Sequence, residues 1–361
     1  MNNPLANHNF NRTQRAMLSI AAFVIIVAGM RAAQDLLVPF LLSVFIAVLT
    51  FPLLTWLRSR GVPSWVAILL VVSLILGIGT GIGALIGTSL NDFTNSIPAY
   101  QRALTREMSD AVDWVQNHGV NLSDEVIFEY IDPGAAMRLT SRLLSGLGSV
   151  LGDAFLILLT VVFMLLEATQ FGKKLEFAMG GSQPALDRFN TFFENINHYM
   201  VLKTIISLAT GLTATILLLI LGVDYALLWG LLTFLLNYIP NIGSIMASIP
   251  PILLSLVLIG PWAAIATGIG YLTINTVFGT ILEPRVMGRG LGLSTLIVFL
   301  SLLFWGWVLG PLGMLLSVPL TMTAKIALSS SEDTQWLSRL LDSGVPVREP
   351  SPTVDDNLGE G

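Results

Sequence analysis

The side chains with the most evident chemical use lie at a break in a long apolar stretch. Residues 204–282 contain one charged side chain, Asp224, and the heptapeptide Asn-Tyr-Ile-Pro-Asn-Ile-Gly occupies positions 237–243. Pro240 has no N–H group and Gly243 tolerates positive φ, so these residues favour a turn between two short helices. The amides of Asn237 and Asn241 can bind hydroxyl groups without the cost of a buried ion.

We therefore predict a solute-binding site at this turn. Its members are polar or shape the turn, and one further amide comes from the next span: Asn237, Tyr238, Pro240, Asn241, Gly243, Ser244 and Asn275. Bare backbone carbonyls at the break would add acceptors. An alternative stays open, in which the turn is interfacial and its asparagines only cap helix ends.

Two further features indicate a gate. A second Gly- and Pro-rich break, Gly-Trp-Val-Leu-Gly-Pro-Leu-Gly at 306–313, puts Gly310 and Pro311 between two short apolar arms. Between the two breaks, Glu283, Arg285 and Arg289 cluster at the end of a span. These residues either gate the solute pathway or form an ion pair, Glu283 with Arg285 or with Arg289, that locks the loop.

The elements that must position these residues are membrane helices. Of the 361 residues, 54% are hydrophobic and only 11% are charged, whereas ordinary domains carry about 25% charged residues. The apolar runs do not alternate, which argues against a β-barrel. We expect an all-α, polytopic membrane bundle of about seven or eight transmembrane segments. Two re-entrant or broken helical hairpins and a small extramembrane helical domain complete it.

Lysine and arginine in the short loops give an orientation with both termini in the cytoplasm. The predicted parts are a cytoplasmic N-terminus (1–15), a three-span scaffold (16–88), an extracytoplasmic helical domain (89–148), a transport region (149–328) with broken hairpins at 225–259 and 291–324, and a partly disordered cytoplasmic tail (329–361). The third span carries Gly79, Gly83 and Gly87 at the spacing that lets helices approach closely, within or between subunits.

Several classes of protein are not expected. The chain has no cysteine, and its three histidines are far apart, so we predict no metal site. No nucleotide-binding loop and no recognisable catalytic pattern occur in the sequence, so we predict neither an enzyme nor a bound cofactor. The expected partners are a small solute, the lipid bilayer and other copies of the chain, without nucleic acid.

Three blocks of the sequence resemble the autoinducer-2 exporter family: Asn-Tyr-Ile-Pro-Asn-Ile-Gly-Ser at 237–244, Leu-Glu-Pro-Arg-Val-Met-Gly-Arg-Gly-Leu-Gly-Leu-Ser at 282–294, and Phe-Trp-Gly-Trp-Val-Leu-Gly-Pro-Leu-Gly-Met-Leu-Leu-Ser-Val-Pro-Leu-Thr at 304–321. The similarity runs in order from about residue 16 to 328. It implies a bacterial inner-membrane homo-oligomer, a pentamer, that exports the small polyhydroxylated signal autoinducer-2. Some family members are described instead as sodium(lithium)/proton antiporters.

Three functions follow as hypotheses. The first is export of autoinducer-2 or a similar polar solute by alternating access, with the hairpins moving against the N-terminal spans. The second is cation/proton antiport, which usually needs an acid within the membrane; the candidates Asp153, Glu167, Asp224 and Glu283 all lie near predicted span ends. The third is a scaffold or sensor that uses residues 89–148.

Overall fold

The computed structural model describes residues 12–117, 152–178, 183–240, 242–287, 293–329 and 334–341, and every regular element in them is helical. The helices are α1 (Arg12–Ala32), α2 (Gln34–Ser59), α3 (Ser64–Asn117), α4 (Ala154–Ala178), α5 (Gln183–Leu221), α6 (Ala226–Leu236), α7 (Gly243–Leu258), α8 (Pro261–Asn275), a π-helix π1 (Thr276–Leu282), α9 (Glu283–Met287), α10 (Thr295–Leu315), α11 (Ser317–Ser329) and α12 (Gln335–Leu340).

Five helical stretches are long and apolar enough to cross a bilayer: Gln34–Ser59, Ser64–Ser89, Phe193–Leu221, Pro261–Val286 and Thr295–Leu315. Shorter apolar helices accompany them, including α6 and α7. Many large apolar side chains on these helices are exposed, as expected where lipid rather than water is the solvent. The prediction of an all-helical, multi-pass membrane protein is confirmed.

Helix α3 is much longer than a membrane span. Its 54 residues extend over about 80 Å, so the helix continues without interruption past residue 88, where the sequence predicted a domain boundary. Beyond the span, Phe93 and Tyr100 of α3 are buried against the start of α6. Burial there raises the pKa of Tyr100 to about 12. Most of the predicted 89–148 domain, from residue 118 onward, lies outside the described residues.

Helices α6 and α7, with the turn at 237–242 between them, form the first hairpin. It starts at Tyr225, which has a left-handed backbone conformation (φ 58°), and it lies along α5 at very short range. A Cβ atom on Gly230 would overlap the Thr215 hydroxyl and lie 2.9 Å from the Gly211 carbonyl oxygen. Only glycine allows this approach between α5 and α6.

Helices α10 and α11 form the second hairpin, and its bend is at Gly310, which interrupts the helical backbone with φ 70° and ψ −156°. The arms are joined by a hydrogen bond that Trp305 Nε1 donates to Thr321 Oγ1 over 2.9 Å. The tip lies beside the C-terminal end of α1, where the Arg31 guanidinium stacks 4.5 Å from the centre of the Trp307 ring. Both helix breaks predicted from the sequence are therefore present.

Two apolar cores connect these parts. The larger one packs α3, α5, α8 and the first hairpin around Phe93, Leu218, Trp229, Leu254 and Tyr271. A second core joins α2, α5, the tip of the first hairpin and the second hairpin, through residues that include Phe45, Tyr199, Tyr238, Leu316 and Met322. The first hairpin is thus anchored along its arms, and its tip meets the second hairpin at a separate contact.

Candidate functional site

The tip of the first hairpin brings polar side chains against hydroxyl groups of α5. Asn237 Nδ2 donates a 3.0 Å hydrogen bond to Ser207 Oγ, and the Tyr238 hydroxyl donates one of 2.7 Å to Thr204 Oγ1. Both tip side chains are buried. The Tyr238 ring also packs edge-on against Phe45 and Phe234.

This contact lies within a stretch of α5 that is long and apolar enough to cross a bilayer. The stretch is Phe193–Leu221, and its uncharged part begins at Thr204, three residues before Ser207. Helix α6 begins close to the end of α5 and has only 11 residues, about 17 Å of helix. The hairpin therefore stops about halfway along α5, which is the geometry expected of a re-entrant hairpin.

The backbone of the tip is largely satisfied by its own turns. The amides of Asn237, Tyr238, Ile239, Ile242 and Gly243 all donate to carbonyl groups between Thr233 and Pro240. A Cβ on Gly243 would overlap the Leu236 carbonyl oxygen, so this turn requires glycine. The expected bare carbonyls are thus mostly engaged, and the polar character of the tip comes chiefly from side chains.

One turn from this contact, α5 carries a buried ion pair. Lys203 Nζ lies 2.6 Å from Glu283 Oε1, and the two side chains are 3% and 22% exposed. Among the described residues Glu283 therefore pairs with Lys203 and not with Arg285. The other candidate partner, Arg289, lies outside the described residues. Removing one partner of such a pair leaves an uncompensated buried charge, which costs more than the pair contributes.

The π-helix π1 positions Glu283 for this pair. Helix α8 changes to π geometry at Thr276, and Glu283 is the first residue after π1. A π-segment widens the helix and changes the direction of the side chains that follow it, and such segments are frequent at functional sites. This π-segment was not foreseen from the sequence.

The remaining predicted site residues are distributed over both hairpins. Pro240, Ser244 and Asn275 are half-buried, the first two at the first tip and Asn275 at the junction of α8 with π1. Gly310 and Pro311 form the second tip, beside the C-terminal end of α1. Asn241, like Arg289, lies outside the described residues.

Sequence reasoning missed three residues of the site: Lys203, Thr204 and Ser207. A signal was present, because Tyr199, Lys203, Ser207 and Gly211 follow one another at four-residue steps and so share one face of a helix. The face is buried. A lysine on the buried face of a membrane helix requires a partner charge, and only the folded chain identifies it as Glu283.

Comparison with known proteins now decides the family. The model of the AI-2E family transporters matches residues 20–333, which include both hairpins, α5 and the ion pair. The chain belongs to the AI-2E transporter family.

Individual relatives in the AI-2E family agree with this assignment. The chain is 44% identical over 327 residues to the AI-2 transport protein TqsA of Escherichia coli K12, an alignment that covers 91% of this chain and 95% of TqsA. It is 45% identical over 343 residues to a Haemophilus influenzae protein, covering 93% and 97% of the two chains. A third relative, YhhT of E. coli K12, is 38% identical over 91% of this chain and 95% of YhhT. The last two are provisionally named transport proteins, without a stated solute.

Proposed function

We propose that this protein is a transporter that exports autoinducer-2 or a similar small polyhydroxylated solute across the bacterial inner membrane. The observation that carries the proposal is the buried polar contact of Asn237 and Tyr238 with α5 within a membrane span. The similarity to TqsA, whose name states AI-2 transport, supports the choice of solute. A transporter of this kind is not an enzyme and needs no cofactor.

The chemistry of the site suits hydroxyl groups. An amide, a phenol and two aliphatic hydroxyls can each donate and accept hydrogen bonds, and they are grouped within about two turns of α5. A solute with several hydroxyl groups can exchange its bonds with water for bonds with these groups. The half-buried residues Pro240 and Ser244 lie at the same tip, and Asn275 lies at the junction of α8 with π1; all three are proposed to line the path.

We propose alternating access as the mechanism. The arms of the first hairpin are fixed to α3, α5 and α8 by the larger core, so relative movement is easiest where its tip meets the second hairpin. In this scheme the second hairpin, with Gly310 and Pro311 at its tip, moves against the N-terminal spans and uncovers the site to either side in turn. Glu283, Arg285 and Arg289 belong to the proposed gate.

The proposed arrangement in the cell has both termini in the cytoplasm and several copies in one assembly, a pentamer. The distribution of lysine and arginine supports the orientation. The glycines Gly79 and Gly87 of α3 support assembly, because they lie on one face of the helix and a Cβ added at either would meet nothing within 4 Å among the described residues. This glycine face is therefore accessible to another copy.

The test is flux of autoinducer-2 in proteoliposomes. We expect the wild-type protein to equilibrate the signal, and Asn237→Ala to raise the concentration needed for half-maximal flux, because removing one polar partner at the site costs about 1 kcal/mol or more of solute binding. Asn241→Ala and Arg289→Ala test the other predicted contacts. If all three variants fold and transport like the wild type, the site is wrongly assigned.

A matched control is available on the same hairpin. The hydroxyl of Thr233 is buried one turn before the tip and hydrogen-bonds over 3.1 Å to Tyr271 of α8 rather than to α5. Thr233→Val removes a buried hydroxyl of the first hairpin without touching the proposed site. We expect it to lower thermal stability and to leave the concentration dependence of flux unchanged.

A second candidate function, sodium(lithium)/proton antiport, is favoured by one observation, the buried pair of Lys203 and Glu283. The other acids considered, Asp153, Glu167 and Asp224, are exposed. Sodium-dependent proton movement in liposomes that is absent in Glu283→Gln, together with no autoinducer-2 flux, would make antiport the function.

A further inference from the structure

One charged side chain is buried in the part of the chain that the structure describes, and it belongs to Lys203. Its ammonium group is held by Glu283 at 2.6 Å, and the groups next to it on α5, Thr204 and Ser207, are uncharged. Tyr199, one turn before Lys203 on α5, and Tyr238 at the tip are the two tyrosines of the second apolar core. The neighbouring ionisable residues Glu194, His198 and Arg285 are exposed, so solvent weakens their influence on the site.

The position of the pair makes its charge balance important for the solute. Lys203 and Ser207 are four residues apart on α5, so their Cβ atoms are about 6 Å apart, and Ser207 holds Asn237 at the tip. A single buried charge at this range would act strongly on any ion at the tip, because screening by water is weak in the membrane interior. Two opposite charges in contact largely cancel at that distance.

We propose that the Lys203–Glu283 pair keeps the site electrically neutral, and that this neutrality determines which solutes are accepted. The intact pair offers no net charge to an anion or a cation, and it leaves the hydroxyl and amide groups to select uncharged polyols. Lys203 and Glu283 are then specificity-determining residues, and removing either one should change the preferred solute charge. This inference rests on the proposed solute site at the tip.

The test compares three probes of similar size as inhibitors of autoinducer-2 flux in proteoliposomes: glycerol (neutral), glycerate (an anion) and 3-aminopropane-1,2-diol (a cation). We expect glycerol to be the best inhibitor of the wild type. Glu283→Gln leaves the lysine charge and should favour glycerate, whereas Lys203→Met leaves the carboxylate and should favour the amine. The inhibition ratio should change by about tenfold, which corresponds to roughly 1.4 kcal/mol.

The double variant Lys203→Met/Glu283→Gln removes both charges and should regain the preference for glycerol. A change of the exposed pair Lys174 and Glu167, also 2.6 Å apart, provides the matched control. Lys174→Met and Glu167→Gln alter the net charge of the protein by the same amounts, but they should leave the inhibition ratios unchanged. Unchanged ratios in both Lys203→Met and Glu283→Gln would overturn the proposal.

A second measurement covers the case in which the single variants fold poorly and does not depend on flux. Small ions should replace the missing partner in the purified protein: formate should raise the thermal unfolding temperature of Glu283→Gln, and methylammonium that of Lys203→Met. Neither ion should stabilise the wild type or the double variant beyond its effect on the Lys174 and Glu167 controls. Equal effects of both ions on both single variants would refute the proposed charge control.

The two measurements separate this inference from the proposed function. If the wild type carries no autoinducer-2 but the selective stabilisation by formate and methylammonium is found, the solute assignment fails and the charge-controlled site stands. If the wild type transports autoinducer-2 and the single variants show no change in charge preference, transport stands and the inference fails.

Discussion

The two hairpins use the same backbone device for different purposes. In each, a glycine closes the bend against a carbonyl oxygen, Gly243 against that of Leu236 and Gly313 against that of Trp305. The first tip then meets hydroxyl groups of α5 within a membrane span, whereas the second tip packs on α1 through apolar contacts and the Trp307 ring. A helix break alone therefore does not bring polar side chains together; the residues of the helix that faces the break determine whether it does.

The two hairpins should differ most in the stability that is lost when a methyl group is added to a closely packed glycine in each. A methyl group on Gly230 would meet the Thr215 hydroxyl and backbone, while one on Gly306 would meet the flexible side chain of Met314 at 2.7 Å. We expect Gly230→Ala to lower the free energy of unfolding by roughly 1–3 kcal/mol and Gly306→Ala to cost clearly less. Thermal unfolding of the purified variants measures both.

The double variant Thr215→Ala/Gly230→Ala sharpens this first test, because it removes the hydroxyl that the new methyl group would overlap. It should recover part of the stability lost in Gly230→Ala. Equal losses in Gly230→Ala and Gly306→Ala would show that the first hairpin is no more tightly anchored than the second.

A smaller effect is expected from single hydrogen bonds, and here the hairpins should differ in transport rather than stability. Tyr238→Phe removes the bond to Thr204, and Trp305→Phe removes the bond to Thr321. Each should cost about 1 kcal/mol of stability. Only Tyr238→Phe should also raise the autoinducer-2 concentration for half-maximal flux. If Trp305→Phe raises that concentration as much as Tyr238→Phe does, the proposed difference between the two hairpins is wrong.

The contact of Arg31 with Trp307 should contribute less still. A guanidinium group over an exposed indole is worth about 0.5–1 kcal/mol, and Trp307 is 55% exposed. The variants Arg31→Gln, Trp307→Leu and their combination form a double-mutant cycle for the second tip. We expect a coupling free energy of about 0.5 kcal/mol from thermal unfolding, and simple additivity would argue against the contact.

The smallest effect is on the pH dependence of stability. It should involve the first hairpin, against which Tyr100 packs, and not the second. Burial raises the pKa of Tyr100, which packs on the first hairpin, to about 12, whereas an unfolded chain has a tyrosine pKa of about 10. The unfolded state therefore loses its proton first. The stability that Tyr100 contributes is complete below about pH 10 and is lost as the pH rises toward 12.

Unfolding temperatures of the wild type and Tyr100→Phe, measured across this alkaline range, check the sign of the effect. The variant should lose less stability than the wild type as the pH rises. The second hairpin contains no tyrosine, so Trp307→Leu is a suitable control and should follow the wild-type profile. A Tyr100→Phe profile parallel to that of the wild type would contradict the prediction.

Local chemistry made the architecture predictable but not the complete site. Apolar length indicated the spans, and Pro240 with Gly243 and Gly310 with Pro311 indicated the breaks, because these residues act on their own backbone. The pairing of Lys203 with Glu283 joins residues far apart in sequence, and no local rule selects Glu283 over a nearer acid. The close approach of Gly211 to Gly230 likewise depends on how two helices pack.

The π-helix between α8 and α9 contains about one residue more than an α-helix that turns through the same total angle. Each residue of an α-helix turns the chain by about 100°, so winding Thr276–Leu282 as an α-helix without removing a residue would rotate everything that follows by roughly that angle. Glu283 would then point away from Lys203, although the sequence would still contain both residues. The ion pair therefore depends on the rotation of the helix as well as on the two residue types.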